Sequence, residues 1–123
     1  MKIRDVIDSF RRLHGDGMDN AMLMVQLSRL DLMVAQDIYA PYPELRRPDF
    51  GGYGCDTDAD TELLVPEPYG GIYTEWLSMC LYAEQQETEA YNDALQRFYA
   101  LRQGLADWVT RNHMPPRRPI RLV

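Results

Sequence analysis

Asp56, Asp58 and Asp60 alternate with Thr57 and Ala59, and Glu67 follows. The four carboxylates thus take positions one, three, five and twelve of a twelve-residue window. Alternating oxygen ligands closed by a glutamate are how an EF-hand loop holds Ca²⁺. An apolar Leu63 at position eight also suits that loop. Two features oppose it. Thr61 stands at position six, where the loop needs Gly for its sharp turn. The flanks "FGGYG" and "PEPYGG" also replace the helices that an EF-hand requires. Asp56, Asp58, Asp60 and Glu67 therefore stay a calcium candidate only, and a solvated acidic loop is the preferred reading.

The remaining chemistry is sparse. Glu84 and Glu87 have the ExxE spacing of carboxylate di-iron bundles, but those sites also need ExxH, which the chain lacks. His14 and His113, with Cys55 and Cys80 outside any CxxC, do not make a usual zinc set. Two isolated thiols suit a reducing cytoplasm. No nucleophile elbow, P-loop or dinucleotide fingerprint occurs. These residues predict no catalytic site and no cofactor, so the chain is read as a non-enzyme.

The elements that would position such residues are helical. Ile3, Val6, Ile7, Phe10 and Leu13 repeat at helical spacing, and Asp8 can pair with Arg11 or Arg12. "HGDG" ends that helix, and Asp19 is placed to cap the next. Leu23, Leu27, Leu30, Val34 and Ile38 form one face of a second helix, widened by Met22, Met24, Leu32 and Met33. Residues 40–71 then alternate prolines with glycines, which predicts a long irregular loop that faces partners. Within it "TELLV" suits a short strand or extended run. From Ile72 to Gln103 there is neither Pro nor Gly. Aromatic and apolar residues recur there from Tyr73 to Trp108, interrupted at Glu87. The pattern predicts one long C-terminal helix, or a helix kinked at "EQQETE". Pro115 and Pro116 stop it. The fold expected is all-α: a small helical bundle in a single domain, residues 1–123, with an extended basic tail at 113–123.

Composition narrows the function classes. With 123 residues, 46% of them hydrophobic, the chain has enough apolar material for one modest core and too much for a disordered segment. No apolar run reaches membrane-spanning length, and the charges within "MKIRDVIDSF" argue against a signal peptide. Net charge is −6. Residues 111–123 contain four arginines and no acid, which leaves 9 of the 13 bases against all 19 acids elsewhere. An acidic body with a short basic tail is unlike a duplex-DNA reader, which must neutralise phosphates. It suits protein partners, copies of itself included.

"DTELLVPEPYGGIYTEWL" (Asp60 to Leu77) and "ETEAYNDALQRFYALRQGLADWVTRNHMP" (Glu87 to Pro115) resemble a family of small prophage proteins. That family carries L-x-V-P-x-P-Y, then E-x-x-x-Y-N and R-x-H-M-P. Here these are Leu63 to Tyr69, Glu87-Tyr91-Asn92 and Arg111-His113-Met114-Pro115. "VIDSF" and "LSRLDLMVAQDIY" match as well. Two departures stand out: Asp93 replaces a second Asn, and "GGYGCDTD" is outside the pattern.

Such proteins look like head–tail connector adaptors of tailed phages. The resemblance implies a virion structural protein of the neck, assembled in the host cytoplasm. It implies a ring of identical subunits, twelve-fold on the portal protein, with the next neck or tail-completion protein beyond. DNA would pass through the lumen without sequence-specific contact, and no membrane is involved. The residues assigned to subunit interfaces are Tyr73, Trp76, Tyr91, Tyr99, Trp108, Arg111, Arg117, Arg118 and Arg121. Loop and tail are expected to order on assembly. The alternative is a small acidic helical phage regulator or inhibitor that binds a host protein.

Overall fold

Helix α1 (Ile3–His14) forms on its expected stripe, with Ile3, Val6 and Phe10 fully buried. Leu13 does not join it and is 68% exposed. The residue that continues the stripe is His14, whose imidazole packs on Phe10 and Tyr82 and whose Nε2 lies 3.0 Å from Ser78 Oγ. Gly15 ends the helix at φ +71, donating its N–H to the Arg11 carbonyl. Arg11 is paired with Asp16 at 3.7 Å rather than with Asp8.

The computed structural model describes residues 1–113. The extended tail expected from 113 onward, with Arg117, Arg118 and Arg121, therefore lies outside the described residues except for His113. Helix α2 (Asn20–Met33) starts where Asp19 accepts a hydrogen bond from the Met22 N–H at 2.8 Å. Leu23, Leu27, Leu30, Val34 and Ile38 are all buried, as their spacing predicts, whereas Met22 is exposed. The helix does not stop at Met33 but widens into a π-helical segment, Val34–Tyr39. The wider turn leaves Ala35, Ile38 and Tyr39 buried together with Val34.

From residue 40 to 70 the chain makes turns and no helix. Its stretch at Thr61–Leu63 is extended and lies along the start of the chain. Ile3 N–H donates to the Thr61 carbonyl, Leu63 N–H to the Met1 carbonyl, and Lys2 bridges Glu62 in antiparallel fashion.

The single long C-terminal helix is replaced by two. Helix α3 (Gly71–Glu84) and helix α4 (Thr88–Asn112) are joined by a turn at Gln85, Gln86 and Glu87, with Gln86 at φ +59. They fold back antiparallel: Glu75 pairs with Arg97 at 2.9 Å, and the Trp76 and Phe98 rings lie 5.3 Å apart. The reason is burial. Leu77 and Leu81 on α3, and Ala94, Phe98, Leu105 and Val109 on α4, are buried in one core. A straight helix of about 60 Å would carry most of them beyond the reach of two short helices. Helix α3 is the central element and packs on α4, α2 and α1. Among the described residues, no helix is long and apolar enough to cross a membrane.

Candidate interaction surface and the buried carboxylate beneath it

The loop is fastened to the helices by one acid. Asp31, flanked on α2 by Leu30 and Leu32, has no exposed surface. A carboxylate taken out of water is costly unless every lone pair is met by a donor. Here the Tyr73 hydroxyl donates to Oδ1 at 2.6 Å, while Oδ2 accepts from the Leu64 N–H at 3.1 Å and from the Tyr53 hydroxyl. The network extends outward. Tyr73 Oη accepts from the Val65 N–H at 2.8 Å, and the Tyr39 hydroxyl donates to the Leu64 carbonyl at 2.8 Å. Ser28 Oγ accepts from the Tyr53 N–H at 2.9 Å.

The approach is close enough that residue 52 must be Gly. Its φ is +94, and a Cβ there would overlap Ser28 Oγ. Three loop residues, Tyr53, Leu64 and Val65, are thereby tied to α2 and α3. These contacts fasten the loop to the helices of its own chain.

Electrostatically, burial pushes the Asp31 carboxyl above its ordinary value, and the donors from Tyr53, Tyr73 and Leu64 pull it back. Burial and the neighbouring Asp31 charge push the Tyr39 hydroxyl up to about 12, against the opposing pull of Arg47. The same causes raise Tyr53 and Tyr73. All three tyrosines therefore remain protonated donors through the neutral range. With no exposed surface and every partner drawn from the loop and α3, the acid positions the loop against the helices.

The expected interface residues fall into four groups. Tyr73 is corrected: it is fully buried and spent on Asp31, so it contributes to the core and not to a partner contact. Trp76 and Trp108 are half-buried. The Trp76 indole N–H donates to the Gln26 carbonyl at 3.0 Å, and Trp108 packs between Tyr69 and His113. Tyr91, Tyr99 and Arg111 reach the surface of α4, with Tyr99 59% exposed. Tyr91, Leu95, Tyr99 and Arg102 follow one another at helical spacing and form one flank of α4. Arg117, Arg118 and Arg121 are outside the described residues.

The acidic window does not converge on a point. Asp58 Oδ1 accepts from the Asp60 N–H at 2.9 Å, and Asp60 pairs with Arg4 at 3.3 Å. Among the described residues, no group of three or more His, Cys, Asp or Glu side chains could hold a metal ion. The ExxE spacing is corrected too: Glu84 ends α3 and Glu87 precedes α4, so they do not share a helical face. Cys55 is an exposed free thiol; Cys80 is half-buried, and that burial raises its thiol.

Sequence reasoning passed over Asp31, Tyr39 and Tyr53. A signal was present: "LDL" places an acid inside the most apolar helix, just ahead of a loop that carries several tyrosines.

Comparison with protein-family models, with curated proteins and with solved structures returned no match to this chain.

Proposed function

We propose that this chain is a structural subunit of a tailed-phage neck, a head–tail connector that meets copies of itself around the DNA channel beneath the portal protein. The observation that carries the reading is the flank of α4. Tyr91, Leu95, Tyr99 and Arg102 stand on one flank of an antiparallel helix pair, Tyr99 exposed and the others half-buried, and aromatic and arginine anchors dominate protein interfaces. The motif resemblance of Leu63 to Tyr69 and of Glu87 to Pro115 supports the same assignment. So does the charge balance of −6, since an acidic wall repels DNA and lets it slide.

Quantitative peptide mass spectrometry of purified virions tests the proposal. The expected result is this chain at about the copy number of the portal, as a closed ring on it requires. Its absence from virions, with abundance in infected cells, would refute the neck assignment and favour the host-binding regulator.

A further inference from the structure

Arg46 and Arg47 lie in the loop next to the C-terminal end of α4. That placement is fixed by Tyr42, whose hydroxyl lies 3.1 Å from Thr110 Oγ1, and by Glu44, which pairs with His113 at 2.8 Å. Arg46 Nε donates to the Ala40 carbonyl at 3.1 Å. Arg47 opens a tight turn closed by the Phe50 N–H on its carbonyl, and the Phe50 ring stands edge-on to Tyr53 at 5.3 Å. Two adjoining grooves of about 180 and 380 Å³ share Arg46, Arg47, Pro48 and Phe50 as walls. Both arginines are exposed, and among the described residues neither forms an ion pair. In a chain where acids outnumber bases 19 to 13, unpaired cations beside an apolar wall invite an acidic partner.

The acidic counterpart stands at the far end of the same helix. Glu84, Glu87 and Glu89 surround the α3–α4 turn, all exposed and all without an ion pair among the described residues. Beside them Tyr82 and Tyr91 line a groove of about 260 Å³. Helix α4 has 25 residues, which at about 1.5 Å each separates the two patches by about 37 Å. One molecule cannot bring them together, but two copies can, end to end.

We propose that the Arg46–Arg47 groove receives the Glu84–Glu89 turn of a second copy, with Phe50 and Pro48 packing toward the Tyr82–Tyr91 groove. Because two different patches meet, the contact is heterologous and repeats from copy to copy until it closes. The inference rests on the self-assembly in the proposed function and names the surfaces that carry it. Nucleic acid is disfavoured as the occupant. Asp49 lines the larger groove beside the arginines, and a phosphate chain would run on over a surface of net charge −6.

The test uses full-length chains with Cys55→Ser and Cys80→Ser, one carrying Asp49→Cys in the groove and the other Gln85→Cys in the turn. Disulfide formation between the two is followed by mass in a concentrated mixture, so that even brief encounters register. The expected rate exceeds that of a control pair, Asp49→Cys with Leu13→Cys, by about tenfold or more, the low end of electrostatic steering. Arg46→Glu with Arg47→Glu on the first chain returns the rate to the control level. Adding Glu84→Arg, Glu87→Arg and Glu89→Arg to the second chain restores it. A rate equal to the control from the outset, or no recovery on the charge swap, overturns the contact. Suppression by an added DNA oligonucleotide that binds the first chain would also overturn it, assigning the groove to phosphate. Virion copy number is an independent readout, so a failed cross-link with the chain present in virions would reject these surfaces and leave the neck assignment standing.

Discussion

Tyr73→Phe is the substitution that most directly probes the buried network. It keeps the ring, which is fully buried, and removes one oxygen that does two things. That oxygen donates to Asp31 Oδ1 at 2.6 Å and accepts from the Val65 N–H at 2.8 Å. Losing a hydrogen bond to a charged group costs about 1.5–3 kcal/mol, and an orphaned buried N–H costs about 1–3 kcal/mol. Both losses come from one atom and are not additive, so about 3 kcal/mol is expected. A domain of 123 residues holds about 6–18 kcal/mol in total, so the change is large. With an unfolding entropy of about 2.1 cal/mol/K per residue, it lowers Tm by about 12 °C. Thermal and urea unfolding followed by circular dichroism would measure it. Amide exchange at Val65 should accelerate more than at Leu105, which is buried on α4 and takes no part in the network. Tyr91→Phe, on the half-buried flank of α4, serves as control and should stay within about 0.5 kcal/mol. If Tyr73→Phe were as mild as Tyr91→Phe, the claim that this hydroxyl secures both the acid and the loop would be wrong.

Three further substitutions test neighbouring arguments. Gly52→Ala should cost about 2–3 kcal/mol, because it combines a φ of +94 with a clash on Ser28, and should expose the loop to proteolysis; a near-neutral result would contradict the close approach. Gln86→Gly should stabilise by about 1 kcal/mol by relieving the φ of +59 in the α3–α4 turn, and a loss in urea unfolding would refute that strain. Asp31→Asn addresses pH. Burial lifts the Asp31 carboxyl above 3.8, so the folded chain holds its proton more tightly than the unfolded chain does. Its contribution to stability is complete below pH 3.8 and is lost as pH rises through the folded-state value. The unfolding free energy of the native chain relative to Asp31→Asn should therefore fall as pH rises from 3.8 through the folded-state value, and a difference that grew as pH rose would reverse the sign of the argument.

The N-terminal half was readable because its helices obey one period. Leu23, Leu27, Leu30, Val34 and Ile38 are buried as their spacing predicts, and Asp19 caps where a cap was expected. The exchange of Leu13 for His14 on the α1 stripe shows the limit of a hydrophobicity rule. A ring that packs on Phe10 and Tyr82 and reaches Ser78 outcompetes an aliphatic residue one position earlier. The alternative of a kink at "EQQETE" located the break, but the full reversal at Gln85–Glu87 was hidden because the turn lacks Gly and Pro, and its left-handed residue is a glutamine. Apolar spacing alone did not show that the two halves of that segment bury each other. The π-helical segment from Val34 to Tyr39 left no mark, since widening a helix by one residue changes no composition. Of the expected interface residues on α4, Tyr99 and Arg111 are exposed and Tyr91 is half-buried, whereas Tyr73 was not foreseen as core. The tyrosine ligands of Asp31 come from segments far apart in sequence, and only the fold brings them together.

Asp31 is made long before its partners. Tyr53, Leu64 and Tyr73 follow it by 22, 33 and 42 residues. While the chain is being synthesised, α2 therefore carries a hydrated charge in the middle of its apolar face. Until the start of α3 emerges, that charge opposes collapse of the face onto itself or onto another nascent chain. Once Tyr73 arrives, the same segment supplies a hydroxyl for the acid and apolar side chains for the helix. Burial of α2 and docking of α3 are thus joined through one side chain. Closing the core around α2 with every lone pair of the acid satisfied therefore requires the chain as far as Tyr73, 42 residues beyond it.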